Sequence, residues 1–323
     1  MPLPASTQWG IVAALAVTIR PALTELIRQA AQGDVLHNDD TPMKILALPA
    51  PGAKTAAADA RTGVFTSGIV STRDGHRVAL YVTGHRHAGE NLAEVLAQRA
   101  AELPAPIQMC DALSRNVPTL PRPLATVVAN CLAHARRHIV DVAPDFPEDS
   151  RHVLEILAQV YRVDAQARAQ QLSSDDRLHW HQTHSGPLMD TLQAWLHAQF
   201  AEHRVEPNSG LGKAIQYFVN HWPKLARFLE VAGAPLDNNI CERALKRAIL
   251  HRKHALFYKT SNGAQVGDVF MSLVHTCELN GADPFHYLTA LQRHADAVAS
   301  SAASWLPWNY RDTLQQLDAA LAA

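Results

Sequence analysis

Apolar positions recur along this chain with two periods, and the switches between them outline the elements. Ile11, Leu15, Ile19, Leu23 and Ile27 stand four residues apart, which predicts a helix over 8–32 that Gly33 ends. Val35–Pro42 reads as a short strand with acidic residues near its end. Gly63–Ser71 and Val78–Thr83 read as strands parted by the polar turn Thr72-Arg73-Asp74-Gly75-His76. The Ala- and Pro-rich stretch Ala47–Ala60 is expected to be a loop. Ala88–Glu102 has an amphipathic helical period, and Ile107–Cys110 is a further short strand that ends at Asp111.

The second half is mostly helical in pattern. Thr126–Ala133 is expected to be a fifth strand, leading into His134-Ala135-Arg136-Arg137-His138. Residues 149–232 read as helices, broken near Ser173-Ser174-Asp175-Asp176 and Pro207-Asn208-Ser209-Gly210. Asp237, Asn238 and Asn239 are good capping residues before a helical stretch in which Ile240, Ala244, Leu245, Ala248 and Ile249 make an apolar stripe. Thr260-Ser261-Asn262-Gly263-Ala264 is a turn, and 264–279 is another helix.

Composition narrows the class. The chain has 323 residues, 47% of them hydrophobic, enough for a large core or two lobes. Its formal net charge is −1, so no global positive field announces nucleic acid, although basic residues crowd 243–259. Cys110, Cys131, Cys241 and Cys277 show no CxxC pairing, as in an intracellular protein with free thiols. The longest apolar run, Trp9 to Ile19, is too short to span a bilayer, and Met1-Pro2-Leu3-Pro4 lacks the charged start of a signal peptide. A cytoplasmic protein without a membrane partner is therefore expected.

Candidate chemistry concentrates on the helix after Asn239. At about 100° per residue, Glu242 falls on the border of the apolar stripe, while Arg243, Lys246, Arg247 and Lys253 fill the opposite side. A carboxylate beside a dense cationic stripe suits a site that handles phosphates. The helix by itself better fits an ordinary amphipathic helix with a Glu242–Lys246 surface pair, worth a few tenths of a kcal/mol. Elsewhere, Gly210-Leu211-Gly212-Lys213 is not a phosphate loop, because it lacks the earlier glycine and the hydroxyl residue after the lysine. His179, His181 and His184 read as scattered solvated histidines.

The exact words carry more. Asp237-Asn238-Asn239-x-x-Glu242-Arg243, followed by His251-Arg252-Lys253-His254-x-Leu256-Phe257, resembles the "DNN-ER … RKN-LF" signature of the insertion sequence 66 family of bacterial transposases. Asn38-Asp39-Asp40-Thr41-Pro42 resembles that family's "D-[DE]-T-P" block. Asn280-Gly281-Ala282-Asp283-Pro284-Phe285-x-Tyr287-Leu288 resembles its "N-G-x-D-P-x-x-Y-L", and Trp305-Leu306-Pro307-Trp308 its closing "LLPW". Cys131-x-x-His134-Ala135-Arg136-Arg137 is similar to "C-W-A-H-x-R-R" with Leu132 in place of Trp, and Asp111-Ala112-Leu113 departs from the commoner "DGY".

The resemblance implies an α/β, ribonuclease-H-like catalytic domain of the Asp-Asp-Glu (DDE) type. A mainly α-helical insertion would lie between the fifth strand and the Glu-bearing helix. The order strand, strand, strand, helix, strand agrees with the opening of that fold, in which the first and fourth strands are neighbours and Asp39 would meet Asp111. The expected organisation is a lead-in over 1–33, core over 34–148 and 233–275, the insertion over 149–232, and a C-terminal segment over 276–323.

Matched residue by residue, the catalytic and metal-holding trio becomes Asp39, Asp111 and Glu242, with Asp40 in the variable second acidic place. Carboxylates are hard oxygen ligands suited to Mg²⁺ or Mn²⁺. Three can hold two ions roughly 4 Å apart, one activating the attacking oxygen and one stabilising the leaving oxygen. Gaps of 72 and 131 residues separate the trio, so only tertiary folding can assemble such a site.

Arg136, Arg137, Arg243, Lys246, Arg247, Arg252 and Lys253 would meet the phosphates of double-stranded DNA, at the element's ends and at its target. Cys131 and His134 supply only two of the roughly four ligands a structural zinc needs, so wall ordering or phosphate contact fits them better. The family also implies oligomers assembled on DNA and accessory proteins encoded by the element. Its usual N-terminal DNA-recognition region would precede the helix over 8–32, which leads us to expect weak, unspecific DNA binding by this chain alone. Two rival readings are a non-catalytic regulatory remnant and a nuclease that cuts without joining.

Overall fold

The two periods translate into strands and helices at almost every place they occur. The computed structural model describes residues 2–47 and 63–322. In chain order these form α1 (Ala5–Thr18), α2 (Arg20–Ala31), β1 (Val35–Pro42), β2 (Phe65–Arg73), β3 (His76–Gly84), α3 (Ala88–Leu96), β4 (Ile107–Cys110) and β5 (Val127–Asn130). There follow α4 (Leu132–Val142), α5 (Pro147–Ala169), α6 (Ser174–His184), α7 (Gly186–Ala201), α8 (Gly210–Leu225) and α9 (Asn239–Ala255). The chain closes with α10 (Ser261–Leu279), α11 (Pro284–Arg293), α12 (Ala295–Ser300) and α13 (Tyr310–Ala322). The fold is α/β, with strands of mixed sense. It divides into two units, one of residues 1–106, 115–125 and 240–323, the other of 107–114 and 126–239.

In the first unit β1, β2 and β3 form an antiparallel meander, with Asp39 opposite Gly68 and Gly68 opposite Tyr81. Asp74 and Gly75, at φ 50° and 79°, make the tight hairpin turn that matches strand twist. Strand alternation gives each face its own helices. Leu36, Ile69, Val78 and Leu80 pack with Leu26 of α2 and Leu92 and Leu96 of α3, whereas Val70, Ala79 and Tyr81 pack with Cys241, Ala244 and Leu245 of α9. Along the outer side of β3, α10 presents Asp268, Ser272 and Thr276, which accept hydrogen bonds from the backbone N–H groups of Thr83, Tyr81 and Ala79 at 2.7, 2.9 and 3.1 Å. Four helical residues advance about 6 Å and two strand residues about 6.8 Å, so the two ladders stay in step and the edge is covered.

Several expectations are corrected. The helix over 8–32 is two helices bent by 48°, because Pro21 has no N–H to continue the ladder. A four-residue interval also drifts around a helix, so Ile11 is exposed while Ile19 is fully buried. No single helix among the described residues is long and apolar enough to cross a membrane. Taken together α1 and α2 pass that test by length and composition, yet Ala22, Leu26, Ala30 and Ala31 are buried in the core. The loop expected over Ala47–Ala60 lies, past Ala47, outside the described residues.

In the second unit β4 and β5 pair in parallel, from Ile107 opposite Val127 to Cys110 opposite Asn130. The fifth strand is shorter than Thr126–Ala133, because the chain turns helical at Leu132 and places Cys131 and His134 at the start of α4. His181 is not solvated. It is buried between Ser185 Oγ at 3.0 Å and Asp164 Oδ1 at 3.2 Å, and Asp164 also meets Arg168 and Arg177 at 2.6 and 2.8 Å. Burial, the largest single effect, opposes ionisation of Asp164, yet His181 and the two guanidinium groups together hold its carboxyl below the usual range. The Ser–His–Asp order resembles a hydrolytic relay, but all three residues are buried, so it is a core network.

Candidate active site

The neighbouring acids Asp39 and Asp40 lie on opposite faces of the sheet, and this alternation separates their roles. Asp40 has a fully buried side chain on the α3 face. Its Oδ2 lies 2.8 Å from His87 Nδ1 and accepts the N–H of Ala88 at 3.4 Å, and its Oδ1 lies 3.5 Å from Arg115 Nη2. There it caps the positive end of α3. Asp39 is half-buried and faces the other way. Its Oδ1 accepts from the Asp40 N–H at 2.8 Å and from Asn116 Nδ2 at 3.1 Å, which orients the carboxylate. Asn116 is itself tied to β1, since its carbonyl accepts from Asn38 Nδ2 at 2.7 Å.

The face that carries Asp39 is the one α9 covers. A Cβ on Gly68, the cross-strand partner of Asp39, would stand 3.0 Å from Leu245 Cδ2 and 3.6 Å from Cys241 Sγ, so any larger residue there needs Leu245 to give way by a few tenths of an ångström. Cys241 Sγ donates to the Gly68 carbonyl at 3.3 Å. Two residues beyond Asp39 on the same face, Thr41 Oγ1 accepts from Arg252 Nη1 at 3.1 Å, and Arg252 also donates to the Pro42 carbonyl. Contacts of α9 thus flank Asp39 across and along the strands. Glu242 stands in the first turn of that helix, beside Cys241, and is half-buried.

Tyr81 fixes the height of α9. Its hydroxyl donates to the Ala244 carbonyl at 2.8 Å and lies 2.9 Å from His275 Nδ1. With the hydroxyl proton committed to Ala244, His275 Nδ1 is the donor in the second bond. Burial, aided by the charge of Arg247, lowers the His275 pKa to about 4, so the ring is neutral near pH 7. Of the expected phosphate contacts on this helix, Arg247 pairs with Glu278, and Arg252 is engaged with Thr41 and Pro42. Arg243, Lys246 and Lys253 are exposed.

Asp111 belongs to the second unit, at the end of β4, and is buried. Its Oδ1 accepts the Leu113 N–H at 3.1 Å and its carbonyl accepts from Asn130 Nδ2 at 3.2 Å, so the loop after β4 is held without the commoner Gly-Tyr. Burial first, and the charge of Asp111 second, pushes the Tyr217 hydroxyl up to about 12 and keeps it protonated. In the same unit Cys131 Sγ accepts the Asn238 N–H at 3.2 Å, and the Leu132 N–H donates to the Leu236 carbonyl at 2.9 Å. These bonds order the segment leading to α9. Arg136 and Arg137 are exposed on α4.

Comparison with known proteins decides the lineage. The model of a family described as "Transposase IS66 family" matches residues 1–266. The chain belongs to the IS66 family of transposases. Three proteins of Sinorhizobium fredii, described as uncharacterized proteins y4jD, y4hP and y4qI, are 35%, 30% and 27% identical to it, each over 57% of this chain. The matched regions are 36%, 35% and 34% of those relatives, so the chain spans about a third of their length. The matched range of the IS66 model includes Asp39, Asp111 and Glu242.

The donor chemistry of these three carboxylates fits hard divalent cations, and the two N–H donors on Asp39 Oδ1 are the kind of support that orients a ligand carboxylate. Some residues of this IS66 chain had no sequence signal for their roles. Asn116 ends a short 3-10 turn, Ser114–Asn116, that no pattern announces, and Gly68 reads as any strand glycine. The hydroxyl of Tyr81 finds its partners only across 163 and 194 residues of chain.

Proposed function

We propose that this chain is the catalytic region of a DNA transposase, with Asp39, Asp111 and Glu242 as the acidic residues that hold Mg²⁺ or Mn²⁺. When bound, such ions supply electrostatic stabilisation to the oxygens around the phosphorus being attacked. Asn116 and the Asp40 backbone N–H keep Asp39 in one orientation, and Tyr81 with Gly68 sets the seat of the Glu242 helix. Arg243, Lys246 and Lys253 neutralise phosphates beside the cut, with Arg136 and Arg137 as further contacts. In cleavage, water oxygen bonds to phosphorus as the bond to the 3′ oxygen breaks. The proton lost by water goes to solvent, and the leaving oxygen ends as a 3′-hydroxyl. In joining, the oxygen of that hydroxyl bonds to phosphorus in a phosphodiester of target DNA as the bond from that phosphorus to the target's own 3′ oxygen breaks. The attacking hydroxyl loses its proton to solvent, and the displaced oxygen takes one up to end as a new 3′-hydroxyl.

The observation that carries the reading, beside membership of the IS66 family, is the seat of Asp39 on the face flanked by the Glu242 helix, opposite the structural Asp40. Double-stranded element ends and target DNA are the partners, with copies of the chain assembled on DNA and accessory proteins of the element as further components. The test is a donor duplex carrying the element's ends, incubated with target plasmid and Mg²⁺ or Mn²⁺. Metal-dependent cleavage and joining, lost in Asp39→Asn, Asp111→Asn and Glu242→Gln alike, supports the proposal. Cutting without joining makes the protein a nuclease. DNA binding with neither reaction makes it a regulatory remnant.

A further inference from the structure

The C-terminal helices of the first unit, outside the range of the family match, enclose a cavity of about 340 Å³ between α11 and α13. His286, Thr289 and Arg293 recur at helical spacing on one face of α11, His294 follows at its end, and Tyr310 and Arg311 start α13. Two guanidinium groups and two imidazoles therefore line one concavity in a chain whose formal net charge is −1. No carboxylate lines it among the described residues. The nearby Asp283 is outside that lining; its Oδ1 accepts the His286 N–H at 2.8 Å and caps α11, and its charge also acts on Arg311.

The donors are also held in place. Arg311 Nε donates to Tyr310 Oη at 3.3 Å, and its guanidinium lies 5.9 Å from the centre of that ring. His294 stacks on the buried Trp305 with ring centroids 5.1 Å apart. Arg293 and Arg311 are exposed and have no ion pair among the described residues, so binding an anion breaks no existing salt bridge. Forked guanidinium donors flanked by ring N–H and hydroxyl groups match the tetrahedral oxygens of a phosphate.

We propose that this cavity binds a phosphate of the DNA backbone, giving the protein a DNA contact separate from the three carboxylates. The proposal rests on the reading that DNA is the substrate. The test is anisotropy of a labelled 30-base-pair duplex of arbitrary sequence, titrated with the full chain across a salt series. Arg293→Ala/Arg311→Ala should lower the slope of log affinity against log salt by about 1, the value of one lost phosphate contact, while Arg293→Lys/Arg311→Lys recovers most of it. Glu242→Gln, in parallel, should lose cleavage and keep the wild-type slope. An unchanged slope in the double alanine variant, with its melting curve intact, overturns this inference and leaves the catalytic reading standing. A reduced slope together with a wild-type chain that never cuts DNA supports the phosphate site and removes the catalytic reading alone.

Discussion

Asparagine at position 39 and asparagine at position 40 should damage the protein in different ways. Asp40 is fully buried and touches His87 Nδ1 at 2.8 Å, the Ala88 N–H at 3.4 Å and Arg115 at 3.5 Å. Removing one partner of a buried ion pair costs about 3–5 kcal/mol when the other stays buried. Here the side chains of His87 and Arg115 are 23% and 44% exposed, so water solvates what is left behind. An amide also still accepts one hydrogen bond, which brings the cost to about 1.5–3 kcal/mol, the value of a hydrogen bond to a charged group. For units of this size that lowers the melting temperature by roughly 4–9 °C. Asp39→Asn keeps an oxygen for Asn116 Nδ2 and the Asp40 N–H, so its stability should change by less than about 0.5 kcal/mol. Its metal-dependent cleavage rate should fall by more than about a hundredfold, beyond the loss typical of a supporting residue. Melting curves and single-turnover cleavage on the same preparations separate the two effects. Should Asp40→Asn melt like wild type and abolish cleavage, while Asp39→Asn cuts normally, the face assignment is wrong and the ligand is Asp40.

Other consequences follow from the same contacts. Gly68→Val places carbon against Leu245 Cδ2 at 3.0 Å, so it should cost about 1–3 kcal/mol and depress cleavage, with Leu245→Ala restoring part of both; an undisturbed Gly68→Val shows that α9 does not sit on that residue. Tyr81→Phe removes the bonds to Ala244 and His275 and should cost about 1–3 kcal/mol in thermal unfolding, and wild-type stability contradicts the tether. Burial raises the Asp268 pKa to about 7, so its neutral form is favoured in the folded protein; its stability contribution is complete below about pH 4 and is lost as pH rises to about 7. His275, lowered to about 4, acts oppositely, losing stability as pH falls from about 6.5 to 4. Denaturant titrations of Asp268→Asn should therefore show stability falling more steeply towards acid between pH 6.5 and 4 than in wild type, and identical profiles refute the pair. His181→Ala should lower the melting temperature by breaking the Asp164 network while the cleavage rate per folded molecule is unchanged, and a selective loss of rate assigns His181 to the chemistry.

Local chemistry was readable wherever it is decided within a few residues. The hairpin around Asp74 and Gly75 was legible because turn residues interrupt two alternating runs. β4 has the limits its pattern predicts, as four apolar or uncharged residues between prolines and an aspartate leave little choice. The capped start of α9 was legible for the same reason, and Asp237 indeed accepts the Asn239 N–H at 3.1 Å. The words around Asp39 and Glu242, with Asn280–Leu288, were enough to place the chain among IS66 transposases, because family words persist as linear strings.

Tertiary structure decided what no spacing encodes. Asp39 and Asp40 are adjacent acids that only the family pattern tells apart in the sequence, and a strand gives them opposite faces; which face is α3 and which is α9 depends on helices brought from elsewhere in the chain. His181 reads as one of three polar histidines on a short helix, and becomes a core residue because Asp164, on another helix, supplies a buried charge. The cationic cavity between α11 and α13 has no linear motif, since its arginines are 18 residues apart and meet only through packing around Trp305 and Tyr310. Periodicity fixes which side of an element is apolar, because that side must leave water. It does not say which partner covers that side, and burial of polar groups, their hydrogen bonds and their pKa values follow from the partner.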